Sequence, residues 1–159
     1  GHEVEDLGDI SVRIPETLDV VTEKHGLAML EPILEACKET YKRLQALPDD
    51  TFPICIGGDH SVSMGTVAGC ARGKRTGVIW VDAHGDINTP ATSPTGHIHG
   101  MPLATILGFG HELLVNLGDN PVRVAPENVA LIGIRNIDND EKKIVQKSGI
   151  HYFHGWLSW

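Results

Sequence analysis

The 159-residue sequence predicts an α/β fold, a three-layer α-β-α arrangement around a mostly parallel sheet. Short apolar runs alternate along the chain with stretches of helical periodicity. The runs are apolar at consecutive rather than alternate positions, as in strands covered on both faces, and each ends abruptly in polar residues. Strands of this kind are joined by right-handed crossovers, and ligands collect beyond their carboxyl ends.

The elements follow in order. Residues 27–47, "LAMLEPILEACKETYKRLQAL", place Leu27, Leu30, Leu34, Cys37, Tyr41 and Leu44 at three- and four-residue intervals, which predicts an amphipathic helix. Pro32 belongs near its first turn, where a missing N–H is tolerated. "FPICIGG" (52–58) reads as a short buried strand, "SVSMGTVAGCARG" (61–73) as a helix and "TGVIWVD" (76–82) as a second buried strand, together one βαβ unit. "NVALIGIR" (128–135) predicts a third strand, "DNDEKKIVQKSG" (138–149) a helix with early acidic residues and a Gly stop, and "IHYF" (150–153) a fourth strand. No internal repeat, low-complexity block or linker divides the chain, so one domain is expected.

Composition narrows the function. A formal charge of −8, from 13 Lys plus Arg against 21 Asp plus Glu, disfavours nucleic acid and anionic membranes as partners and suits a small cationic or polar substrate. Cys37, Cys55 and Cys70 lie in apolar segments and read as reduced core thiols. No apolar run approaches the roughly 20 residues that span a bilayer, and the first ten residues, "GHEVEDLGDI", lack the pattern of a secretory leader. The expectation is a soluble, cytoplasmic protein.

The strand-end motifs carry the chemistry. In "VIWVDAHGDINTP" (78–90), Asp82, His84 and Asp86 occupy every second position, so they share one side if the backbone stays extended. Two carboxylates and an imidazole facing one point are costly unless a cation sits among them. His60 leaves the preceding strand through "GGDH" and reaches the same place, completing four N/O ligands. A set without Cys suits Mn²⁺, Fe²⁺ or catalytic Zn²⁺ better than structural zinc. An Asp able to bridge two ions makes a two-metal hydrolase plausible.

Neighbouring residues carry weaker signals. Asp59 either orients His60 or caps the following helix, and Asn88 shapes the turn before Pro90 or touches substrate. In "TSPTGHIHGMP" (92–102), His97 and His99 are solvated loop histidines or proton carriers. Asp138, Asp140 and Glu141 either serve the helix dipole or bind an ammonium group. His2, His25, His111, His151 and His154 have no partnered spacing and read as surface residues.

Together "GGDHS", "VDAHGDINTP" and "HIHGMP" resemble the arginase family of manganese ureohydrolases. The resemblance runs from Gly1 to Phe153 and includes "GHEVEDLGDI" and "IGIRNID". It implies an incomplete arginase-like domain over 1–153 followed by an atypical tail, 154–159, and hydrolysis of L-arginine to L-ornithine and urea by a hydroxide bridging two Mn²⁺ ions. On the matching positions, His60, Asp82 and Asp86 would hold one manganese, and His84 with the bridging Asp82 the other. Asp86 would also assist proton transfer, and His99 would shuttle protons. Asn88 and Thr95 would hold the substrate α-carboxylate, and Asp138 with Glu141 the α-amino group. A homotrimer or hexamer is implied as the assembly.

The sequence departs from the family pattern twice. Thr95-Gly96-His97 stands where arginases commonly read Ser-Gly-Asn, so an imidazole replaces an amide at the carboxylate. No later Asp-x-Asp completes the metal shells, the first strand is missing, and "HGWLSW" is unlike the family's continuation, as if the chain were truncated at both ends. The competing readings are a non-catalytic fragment that keeps a partial metal site and binds metal weakly, or pairs with another chain, and a ureohydrolase for another guanidino compound such as agmatine. Asn88 and the acidic loop disfavour agmatine, which has no α-carboxylate to be held.

Overall fold

A computed structural model of the chain describes residues 1, 3–13, 23–24, 26–118 and 124–153. The expectations for His2, His25, His154 and the 154–159 tail lie outside these residues. The elements are β1 (Glu23–Lys24), β2 (Leu27–Ala28), α1 (Leu30–Ala46), α2 (Val62–Ala71), β3 (Val78–Val81), α3 (Pro102–Ile106), α4 (Glu112–Val115), β4 (Val129–Ile132), α5 (Asn139–Ser148) and β5 (His151–Phe153). β1 and β2 form a two-residue antiparallel ladder, while β3, β4 and β5 form a parallel sheet in that order.

The helical expectation for 27–47 holds over Leu30–Ala46, and Leu30, Pro32, Leu34, Cys37, Tyr41 and Leu44 are all buried. Its last turn would leave carbonyls orphaned, but Arg72 donates to Leu44 O at 2.7 Å and Leu47 O at 2.6 Å. Gly65 and Gly69 bring α2 against α1. A Cβ at Gly65 would lie 2.6 Å from Cys37 O, and one at Gly69 would lie 2.7 Å from Leu44 Cβ. α5 starts on a capping box formed by Asp138 and Glu141 and ends at Gly149 in the left-handed region, φ 86°.

Register assigns the sheet faces. Trp80, Leu131 and Tyr152 pair on one face, which packs on Leu103, Ile106 and Val145 of α3 and α5. A second buried cluster joins Leu30, Leu34 and Tyr41 of α1 to Met64 of α2, Ile98 and Leu114. On the opposite sheet face, Ile79 and Val81 are 74% and 69% exposed, and Phe153 is 57% exposed. A helix layer therefore covers the Trp80 face, while the Val81 face is open among the described residues.

Two expectations need correction. The run at 52–58 pairs with no strand, and Phe52, Ile54 and Ile56 are exposed, Ile56 at 93%. Apolar content predicts burial, but a strand also needs a neighbouring backbone to take its N–H and C=O groups, and no described segment supplies one. For the same reason only Cys37 of the three cysteines is buried: Cys55 lies in this uncovered run and Cys70 on the exposed side of α2. Burial pushes the Cys37 thiol up to about 11. The short helices α3 and α4, absent from the sequence reading, lie in an apolar stretch with too few turns for periodicity to declare itself.

Candidate metal centre

β3 ends at Val81, yet its ladder to β4 continues past the strand ends. Asp82 donates its N–H to Ile132 O at 3.2 Å, and Arg135 and Asn136 both donate to Ala83 O at 2.9 Å. This fastens the 82–88 loop to the loop after β4. The backbone does not stay extended through the motif: Asp86 has φ 47°, the left-handed region. Side-chain alternation therefore places Asp82, and the turn at Asp86 then brings the second carboxylate round to the same point.

That point is His60. Its Nδ1 lies 2.7 Å from Asp82 Oδ2 and 2.9 Å from Asp86 Oδ2. The donor atoms of His60, Asp82 and Asp86 all lie within 4.8 Å of one another, and Asp86 is buried. His84 stands at the margin: its Nδ1 is 3.5 Å from Asp82 Oδ1, and its ring is largely exposed. Asp82 thus turns one oxygen to His60 and the other to His84. Asp59 spends its carboxylate on the Ser61 N–H at 2.8 Å, so it shapes the turn into α2.

The two clustered carboxylates are driven apart electrostatically. Burial alone would raise both. At Asp82 it is outweighed by the backbone N–H groups of His84 and Ala83 and by the His60 and His84 charges, which hold the carboxyl below its usual range. At Asp86 burial prevails over the His60 hydrogen bond, and the Asp82 charge adds to it, so the carboxyl is raised. Such a pair is suited to one permanently charged ligand beside one group that can take up a proton.

The other candidates fall into two sets. Asn88 donates to Asp138 Oδ2 at 2.8 Å and accepts from Thr92 Oγ1 at 2.7 Å. Asp138 Oδ1 accepts from the Asp140 and Glu141 N–H groups, and Glu141 accepts from Asp138 N–H at 3.0 Å and Ile87 N–H at 3.2 Å. Burial would raise Asp138, but the Asn88 amide and the Glu141 and Asp140 N–H groups hold it below its ordinary value. At Glu141 burial wins and the carboxyl is raised. Thr95 and His97 lie on an exposed loop and His99, also exposed, in the 3₁₀ turn Ile98–Gly100 that follows, all outside the metal cluster. The His97 and His99 rings are 5.5 Å apart, and Thr95 Oγ1 accepts from His97 N–H at 3.4 Å.

Sequence reasoning missed Trp80. Its buried indole lies 4.3 Å from the His60 ring, tilted at 45°, and supports the imidazole from the core side. The available signal was parity, because Trp80 precedes Asp82 by one strand repeat. Trp80 Nε1 and Ser61 Oγ, both buried beside His60, have no hydrogen-bond partner among the described residues.

Comparison with known proteins shows what the chain is similar to. Residues 1–156 match the arginase family model. The chain is 45% identical over 158 residues to the arginase of Bacillus caldovelox, covering 96% of this chain and 51% of that protein, and 43% identical to that of Bacillus subtilis (strain 168), with the same coverages. Among solved structures, the native arginase from Bacillus caldovelox superposes with a TM-score of 0.85 at 44% identity, covering 92% of this chain and 50% of that one. Entamoeba histolytica arginase in complex with L-ornithine superposes with a TM-score of 0.75 at 36% identity, over 82% of this chain and 45% of that one. The chain spans about half the length of the curated relatives it matches.

Proposed function

We propose, for a chain that belongs to the arginase family, that His60, Asp82, His84 and Asp86 contribute to a two-manganese centre that hydrolyses L-arginine to L-ornithine and urea. The observation that carries this reading is Asp82, with Oδ2 at 2.7 Å from His60 and Oδ1 at 3.5 Å from His84. A carboxylate shared between two imidazoles is the donor arrangement of a bridge between two cations. The donor set fits manganese, since imidazole and carboxylate without thiolate suit Mn²⁺. Bound there, Mn²⁺ would supply the Lewis acidity that ionises water near neutral pH.

The chain's own residues then divide the work. Asp86, its carboxyl raised by burial, takes up a proton and releases it to the leaving amine. His99, exposed on its 3₁₀ turn, exchanges protons with solvent. Thr95 and His97 offer a hydroxyl and an imidazole to the substrate carboxylate. The Asn88 amide and Asp138 carboxylate, bonded to each other at 2.8 Å, match the α-carboxylate and α-ammonium of a zwitterionic amino acid. The family resemblance adds Glu141 to that ammonium subsite. In this reading the assembly is a homo-oligomer and the location cytoplasmic.

A second reading has its own support. The exposed Ile79, Val81, Phe52, Ile54 and Ile56 favour a partial site in a chain that pairs with a further polypeptide before it can turn over. One pair of measurements separates the two: Mn²⁺ stoichiometry and urea release from L-arginine by the chain. Two tightly held ions with urea production support the catalytic reading. One ion without urea supports the partial site, and no bound Mn²⁺ refutes both.

A further inference from the structure

Asp86 holds a conformation that few non-glycine residues adopt, φ 47°, and holds it in a buried loop. Such a residue persists only when its surroundings over-determine it. Three hydrogen bonds from main-chain donors do so here. Leu103 N–H donates to Asp86 O at 2.9 Å, and Asn88 N–H donates to Gly100 O at 3.1 Å. Between them the N–H of Ile87, a residue with 0% exposure, donates to Glu141 Oε1 at 3.2 Å.

The third bond differs in kind, because its acceptor is a buried side chain on another element. Glu141 is 7% exposed and uses both oxygens on main-chain donors, Ile87 N–H and Asp138 N–H. The loop passes so close that a Cβ on Gly85 would lie 3.2 Å from Glu141 Oε1. A carboxylate with both oxygens turned to the protein's backbone is arranged as a tether. We propose that Glu141 is a positioning residue for metal binding: through the Ile87 N–H it fixes the turn that presents Asp86 to His60, and so couples the start of α5 to the ligand cluster. This departs from the subsite role that family resemblance gives it, and it rests on the metal reading of His60, Asp82 and Asp86.

The test uses the whole chain. Mn²⁺ affinity is measured by the electron paramagnetic resonance of free Mn²⁺, and exchange of the Ile87 amide hydrogen is followed by NMR without metal. Glu141→Ala is expected to weaken Mn²⁺ binding by about 10- to 100-fold, the usual effect of removing a group that orients a ligand, and to speed Ile87 exchange. Glu141→Gln should fall between, because its single carbonyl oxygen serves only one of the two donors. Asp140→Ala removes a carboxylate from the neighbouring position in the first turn of α5, where Asp140 pairs with Lys143 in solvent, and should leave both readouts unchanged. Native Mn²⁺ affinity in Glu141→Ala overturns the proposal, as does unchanged Ile87 exchange or an equal loss in Asp140→Ala. If the parent chain takes up no Mn²⁺, the metal reading fails, and the tether to the Asp86 turn stands or falls on Ile87 exchange alone.

Discussion

Two acidic loops leave adjacent parallel strands at the same end of the sheet, residues 82–88 after β3 and 135–141 after β4. In the second, every described carboxylate oxygen of Asp138 and Glu141 is matched to an N–H of its own chain, from Asn88, Ile87 or the first turn of α5. In the first, Asp82 Oδ1 accepts from the His84 N–H at 3.1 Å, but Asp82 Oδ2 and Asp86 Oδ2 turn toward each other and share one imidazole nitrogen between them. Equal acidity thus has opposite meanings. Carboxylates satisfied by backbone donors terminate a helix and brace a loop, whereas carboxylates that converge on an imidazole leave lone pairs for a cation.

The comparison is broken most directly at Asp86. Asp86→Asn is expected to cut Mn²⁺ affinity by more than about 100-fold, beyond the loss from an orienting group, and to remove any urea release. Asn tolerates positive φ, so the turn should survive and the loss should report charge rather than misfolding. Unchanged binding in isothermal titration would show that the first loop is no more a ligand loop than the second. In the second loop Asp138→Ala should act on stability, costing about 1 kcal/mol in urea denaturation through loss of the α5 cap. A native midpoint would mean that the cap contributes nothing.

Titration sharpens the contrast within the second loop. Asp138 is held below its ordinary value, so its contribution to stability is complete above the usual Asp range near 4 and is lost as pH falls through the lowered pKa. Glu141 is raised, because burial outweighs the Asp138 and Ile87 N–H bonds that favour its carboxylate. Its contribution is complete below the usual Glu value of about 4.3 and is lost as pH rises through the raised pKa. Carboxyl NMR should find Asp138 ionising first, and the reverse order would contradict the hydrogen-bond assignment. The smallest expected effect is optical. With Trp156 and Trp159 replaced by Phe, Trp80 emission should drop on adding Mn²⁺, because the indole lies 4.3 Å from the His60 ring, and Asp140→Ala should not alter that drop.

Legibility differed along the chain for physical reasons. α1 and α5 were readable because an amphipathic helix writes its buried face at three- and four-residue intervals, and because Asp138 and Gly149 mark the ends of α5 within a few residues. β3, β4 and β5 were readable as apolar runs between turn residues. The run at 52–58 has the same composition as β3 but lacks a pairing partner among the described residues, and composition holds no information about partners. At the site, residue types and spacing point to His60, Asp82, His84 and Asp86 as four converging donors; the donor atoms of His60, Asp82 and Asp86 do lie within 4.8 Å of one another, but Asp86 arrives through a left-handed turn rather than along an extended strand.

The sequence by itself determined the α/β class, the family and the chemical nature of the donors, because these are written in local periodicity and in motifs a few residues long. Only the tertiary structure decided which acidic side chains are already spent. Asn88 meets Asp138 across 50 positions, and Ile87 meets Glu141 across 54. A hydrogen bond over such a distance depends on how strands pair and where loops turn, and a lone carboxylate reads the same in sequence whether it waits for a cation or holds its own backbone in place.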